Sequence, residues 1–150
     1  MPFDRNVPTT LRAMEAMWSV ALPPMTRVVE KPMATFRTTR RIEFGDTDMA
    51  GIVHFSNFFR FMESAECEFL RSRGLSVKME WEGQAIGFPR VSAQCDYLKP
   101  ARFEDVLDVV VSIDRIGTKS VTYAFEFSLS GTPIATGKVT SACCRVRDDH

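Results

Sequence analysis

Phe58, Phe61, Met62, Ala65 and Phe69 recur at spacings of three and four, which places them on one face of a helix predicted from about 57 to 73. Ser56 or Asn57 stands where a side chain can cap the first turn. Arg71, Arg73 and Gly74 supply the basic last turn and the permissive residue expected at the end. Elsewhere the period is two. Val121, Tyr123, Phe125, Phe127 and Leu129 alternate with Thr122, Ala124, Glu126 and Ser128, the pattern of a strand with one buried face. Strands are predicted near 35 to 44, 87 to 99, 104 to 116, 119 to 130 and 133 to 147, and the stretch through Trp81 and Gly83 reads as a loop. Gly117-Thr118 and Ser130-Gly131-Thr132-Pro133 are hairpin turns, which make successive strands antiparallel neighbours. The order β-α-β-β-β-β implies a two-layer α+β fold, one long helix filling the concave side of a curved antiparallel sheet.

A chain of 150 residues fits one domain and buries a core without help from metals or disulfides. Nineteen basic and nineteen acidic residues cancel, so the overall field gives no reason to expect nucleic acid or an anionic membrane as partner. No apolar run approaches the roughly 18 residues of a membrane span. Cys67, Cys95, Cys143 and Cys144 form no C-x-x-C pair and read as a reduced, cytoplasmic set. Only His54 and His150 could add imidazole ligands, so no metal site is expected.

Residues 1–34 form an extension ahead of a domain at 35–147. It holds Pro2, Pro8, Pro23, Pro24 and Pro32, five of the chain's eight prolines, with a short helix expected at Thr10 to Leu22. The apolar stretch Met14 to Leu22 lacks a basic start and a cleavage signature, and is not read as a signal peptide.

The chemistry concentrates in Phe44-Gly45-Asp46-Thr47-Asp48-Met49-Ala50-Gly51-Ile52-Val53-His54-Phe55-Ser56-Asn57-Phe58-Phe59. A turn rich in carboxylates lies just ahead of a helix whose first N–H groups lack internal partners and carry the positive end of the macrodipole. Such amides can hold an oxyanion while a nearby carboxylate attacks a carbonyl or activates water.

This run resembles the signature D-x-D-x-x-G-x-V of the 4-hydroxybenzoyl-CoA thioesterase family, which continues into an aromatic-rich helix ending in Glu. Phe88-Pro89-Arg90-Val91 through Asp96-Tyr97-Leu98-Lys99-Pro100 to Asp105 resembles that family's next strand and its Tyr-x-x-Pro turn. The likeness spans about Thr35 to Val146. It implies a hot-dog fold and acyl-CoA thioester hydrolysis, with no cofactor beyond the CoA thioester as substrate. It also implies a homodimer or homotetramer with sites at the subunit interface. By the same resemblance Asp48 matches the catalytic carboxylate, as nucleophile or general base, and the backbone amide near Phe55 matches the oxyanion donor. Glu63 falls where the family has an acidic residue facing the acyl pocket. Many relatives carry His or Tyr at the position of Phe55, whereas this chain has His54 one residue earlier.

Each residue also has a plainer reading. Asp48 could be a turn aspartate bonding only backbone amides, and Asp46 is expected to hold the loop. His54 could donate to a thiolate or to Asp48, or act as a structural hydrogen bonder. On the helical wheel Glu66 lies within the apolar arc between Met62 and Leu70, and Glu63 sits at its edge, where an ion pair with Arg60 is the simple alternative to facing a pocket. Among Phe55, Phe58, Phe59, Phe61 and Phe69, mostly core residues, Phe59 is the candidate to line an acyl tunnel. Gly51 suits a tight turn or close ligand approach. Lys99, Arg102, Arg115 and Lys119 sit near strand ends and are candidates for CoA phosphates. Two other readings share these residues: an acyl-thioester hydratase or dehydratase, and a non-catalytic acyl-CoA or acyl-carrier binding module.

Overall fold

The computed structural model describes residues 35–146, so the expectations for the extension and its short helix lie outside the described residues. Among these residues the elements are β1 Thr35–Arg41, α1 Asn57–Ser72, β2 Lys78–Trp81, β3 Gln84–Gly87, β4 Arg90–Tyr97, β5 Val106–Ile116, β6 Ser120–Leu129, β7 Thr132–Ala142 and β8 Cys144–Arg145. Five strands form one antiparallel sheet in the order β1-β5-β6-β7-β4, and β2-β3-β8 form a small second sheet.

The period-two residues of the large sheet meet the helix stripe. Leu107, Val109, Val111 and Ile113 of β5, Val121, Tyr123, Phe125 and Phe127 of β6, and Ile134 and Val139 of β7 are buried against Phe58, Phe61, Met62, Ala65 and Phe69 of α1. Burying each of the larger aliphatic and phenylalanine side chains stabilises the fold by roughly 1.5–3 kcal/mol. Gly137 lets α1 approach this closely: a Cβ there would lie 2.3 Å from Met62 Sδ and 3.2 Å from the Gln94 carbonyl oxygen. One helix wrapped by a curved antiparallel sheet is the hot-dog fold expected from the sequence.

Four local expectations need correction. The first strand ends at Arg41, three residues early, because Glu43 and Asp46 cap one another reciprocally and fold Phe44–Asp46 into a 3-10 turn. The stretch read as a loop is a β2–β3 hairpin, turned by Glu82 and Gly83 at φ 49° and 73°. The segments at 87 to 99 and 133 to 147 are each broken, since Gly87 and Cys144 pair with one another in the small sheet while β4 and β7 pair in the large one. The hairpins do join β5 to β6 and β6 to β7, but β4 crosses over to β7 rather than lying beside β5.

The end of α1 is as expected, with the Arg73 amide reaching the Leu70 carbonyl and Gly74 at φ 71°. Its start is not. Ser56 makes no side-chain cap, because its hydroxyl pairs with His54 Nδ1 at 2.8 Å, and Asn57 turns back to donate to the Asp46 carbonyl at 2.9 Å.

Candidate active site

The loop between β1 and α1 is closed by an antiparallel bridge between Thr47 and Val53. Within it the Asp48 amide donates to the Ile52 carbonyl at 2.9 Å, and Gly51 turns the chain at φ 73°, a left-handed conformation that suits a residue without Cβ. Asp48 Oδ1 accepts the Ala50 amide at 2.8 Å and lies 3.5 Å from the Ile52 amide. This is the turn-aspartate role, but it occupies one oxygen only. Oδ2 has no hydrogen-bond partner among the described residues, and the side chain is exposed. Asp46 holds the loop as expected: it is buried, accepts the Glu43 amide at 3.0 Å and pairs with Arg40 at 3.7 Å.

At the start of α1 the amides of Asn57, Phe58 and Phe59 turn back to the carbonyls of His54, Phe55 and Ser56. These short-range bonds consume donors a helix normally leaves open. The Phe55 amide remains, donating to nothing among the described residues, and the positive end of α1 lies behind it. The Phe55 carbonyl is fixed in turn by the Tyr97 hydroxyl, which donates to it at 3.0 Å. Asp48, Phe55, Phe58, Tyr97, Leu98 and Lys99 line one groove of about 410 Å³, closed by Ile52, Val53, Pro100 and Ala101.

The candidate cations divide. Lys99 is on the groove wall, and Arg102 Nη1 lies 3.9 Å from where a Gly51 Cβ would stand, so both reach the Asp48 loop. Arg115 and Lys119 are not brought there: β5 leaves this end at Val106, and ten residues at about 3.4 Å each put its far end roughly 30 Å away. His54 stacks on Phe55 with ring centroids 4.6 Å apart and pairs with Ser56, and makes no hydrogen bond to the Asp48 carboxylate.

Phe59, Glu63 and Glu66 line a second recess of about 210 Å³, together with Arg60, Arg90, Ala93 and Val139. Glu66 is 1% exposed, and Arg90 Nη2 donates to its Oε2 at 3.0 Å. The ion-pair partner of Glu63 is also Arg90, at 3.6 Å, instead of Arg60. Burial raises the Glu66 pKa, with Arg90 opposing it, and burial followed by the nearby Glu66 charge raises that of Tyr123.

Tyr97 and Arg90 were legible only as members of a family-like stretch. The detectable signal for Tyr97 was period two along β4, which puts Ala93, Cys95 and Tyr97 on the helix-facing side opposite Val139, Gly137 and Ala135, whereas Arg90 pairs with Ser141 only after a register shift between Arg90 and Ser92 that breaks this period.

Comparison with known proteins gives the family and the fold. Residues 42–148 match the family model of the thioesterase-like superfamily. A 1,4-dihydroxy-2-naphthoyl-CoA hydrolase of Parasynechococcus marenigrum is 31% identical over 107 residues, 67% of this chain and 70% of that one. Among solved structures, a gentisyl-coenzyme A thioesterase is 32% identical with a TM-score of 0.66, covering 75% of this chain and 94% of that one. A 1,4-dihydroxy-2-naphthoyl-CoA thioesterase from Synechocystis is 25% identical with a TM-score of 0.68, covering 77% and 85%. The chain that carries Asp48 and the Phe55 amide on one groove belongs to the thioesterase-like superfamily.

Proposed function

We propose that this chain hydrolyses an acyl-CoA thioester to the free acid and CoA, with Asp48 as catalytic carboxylate and the Phe55 amide as oxyanion donor. One observation carries the reading: a carboxylate with one unclaimed oxygen and an unclaimed amide at a helix start share a groove, in a chain of this superfamily.

A thioester carbonyl held at the Phe55 amide is polarised by that N–H and by the positive end of α1, both fixed before the reaction begins. Asp48 Oδ2 then attacks the carbonyl carbon, giving a mixed anhydride that water opens, or it takes a proton from a water that attacks. In either route the C–S bond breaks and CoA leaves as a thiolate that takes up a proton. The amide bond to Oδ1 orients the carboxylate. Lys99 and Arg102 serve the phosphates of CoA, and the CoA thioester enters as substrate without a further cofactor.

The assembly is a homodimer or homotetramer with the site at the subunit interface. Supporting this, β4 is the last strand of the large sheet and seven of its eight residues are exposed, with Val91 63% exposed. A second copy pairing along that edge would satisfy its open backbone groups. Arg115 and Lys119 contribute to CoA binding only where such an assembly carries them to a groove. A cytoplasmic setting fits the four free cysteines, and no helix among the described residues is long and apolar enough to cross a membrane.

Relatives named for gentisyl-CoA and 1,4-dihydroxy-2-naphthoyl-CoA make hydroxylated aromatic thioesters the first substrates to try. Release of free thiol from aromatic, short-chain and long-chain acyl-CoAs tests the reading, which expects turnover of at least one class. Saturable binding without turnover of any would leave an acyl-CoA binding module. In heavy-oxygen water, label incorporated into Asp48 over several turnovers marks an anhydride opened at the Asp48 carbonyl.

A further inference from the structure

The recess at Glu66 and the groove at Asp48 both lie along α1 and β4. Phe58 and Tyr97 line the groove, while Phe59 and Ala93 line the recess. Phe58 and Phe59 are neighbours on α1, and Ala93 and Tyr97 share the helix-facing side of β4. Phe59, Glu63 and Glu66, spaced by four and three, run as a stripe along α1 away from the thioester end.

The far end is unusually polar for its burial. Glu66 is 1% exposed on the same helix face as Met62 and Phe69, both 0% exposed, and Arg90 takes its Oε2. Its Oε1 has no hydrogen bond among the described residues, although the residue lines the recess. A buried ion pair is a weak stability device, because well-packed apolar residues in its place are commonly neutral or better. A polar wall in this recess is therefore better explained by what it touches.

Oε1 calls for a donor. An alkyl terminus would leave it unpaired, and a ligand carboxylate would meet Glu63 and Glu66 across a single guanidinium that both already share. A neutral hydroxyl donates without adding charge. The reach follows from helix geometry: eleven residues from Phe55 to Glu66 rise about 16 Å, and the glutamate leans back toward the helix start, leaving roughly 10 Å from the carbonyl to the carboxylate.

Resting on the thioesterase reading above, we propose that the Glu66–Arg90 pair sets the choice of acyl group. It selects those carrying a phenol or alcohol hydroxyl roughly 7–8 Å from the thioester carbonyl, one hydrogen bond short of the carboxylate, and that hydroxyl donates to Glu66 Oε1. A hydroxyarylpropenoyl or hydroxyarylpropanoyl unit has this reach, and a single hydroxybenzoyl ring falls short of it.

Binding is measured by calorimetry with non-hydrolysable ketone analogues in which a methylene replaces the thioester sulfur: cinnamoyl, 4-hydroxycinnamoyl, benzoyl and 4-hydroxybenzoyl. In the wild type the hydroxyl tightens the longer pair at least about tenfold and the shorter pair less. Glu66→Gln loses most of that gain. Glu66→Asp keeps the charge but withdraws it by one methylene; it loses the gain as well, and serves if the Gln variant fails to fold. Equal affinities within the longer pair, a gain confined to the benzoyl pair, or a gain unchanged in the variants would overturn the assignment. Thiol release from the parent thioesters, run alongside, decides hydrolysis separately. A hydroxyl preference without turnover rejects the enzyme reading and keeps this one, and turnover without the preference does the reverse.

Discussion

The Tyr97 hydroxyl donates to the Phe55 carbonyl at 3.0 Å, so β4 pins the turn whose amide faces the Asp48 groove. Tyr97→Phe removes that bond and keeps the ring against Phe58, 5.5 Å away between centroids. A net loss of about 1 kcal/mol at a half-exposed site corresponds to a roughly fivefold fall in kcat/KM. Steady-state thiol release checks it, with the fall expected mainly in kcat if the bond positions the oxyanion donor. An unchanged rate would mean the turn holds itself.

Gly137 faces Met62 where α1 meets the sheet, with Met62 at 0% exposure and the Gln94 carbonyl also within 3.2 Å of where a Cβ would stand. Gly137→Ala should destabilise the fold by about 1–3 kcal/mol through overpacking. Urea denaturation of the variant and wild type measures this, and equal midpoints would show that the Met62 side chain swings away.

Glu66 makes stability depend on pH. Burial, opposed by Arg90, raises its pKa above the ordinary 4.5, so the folded chain holds this proton more tightly than the unfolded chain. That contribution is fully present below 4.5 and is lost as pH rises through the folded value. Glutamine cannot ionise. Denaturation midpoints of Glu66→Gln relative to wild type should therefore rise from about pH 4 to neutrality, whereas a difference flat in pH would show that Arg90 fully offsets the burial.

The sequence carried the large features because they rest on long periodic runs. The helix was bounded to within one residue at its end, and the buried face of β6 was named correctly from Val121 to Phe127. Short elements escaped. Two four-residue strands joined by Glu82-Gly83 give too little period to separate from a loop, and a strand that ends in one sheet as the next begins in another reads as continuous. At the site, local sequence placed Asp48 and the helix start together because only six residues separate Asp48 from Phe55. Arg90 was out of reach: its pairing with Glu63 and Glu66 depends on β4 crossing to β7, which no neighbouring residue announces.

The central claim is that Asp48 does the chemistry. Free-thiol release from the best substrate of the acyl-CoA panel, measured for wild type and Asp48→Asn with folding checked by melting, tests it most directly. The amide retains Oδ1 as acceptor for the Ala50 amide, so the turn should persist while turnover falls at least about a hundredfold. A correctly folded Asp48→Asn that retains most of its turnover would contradict the account.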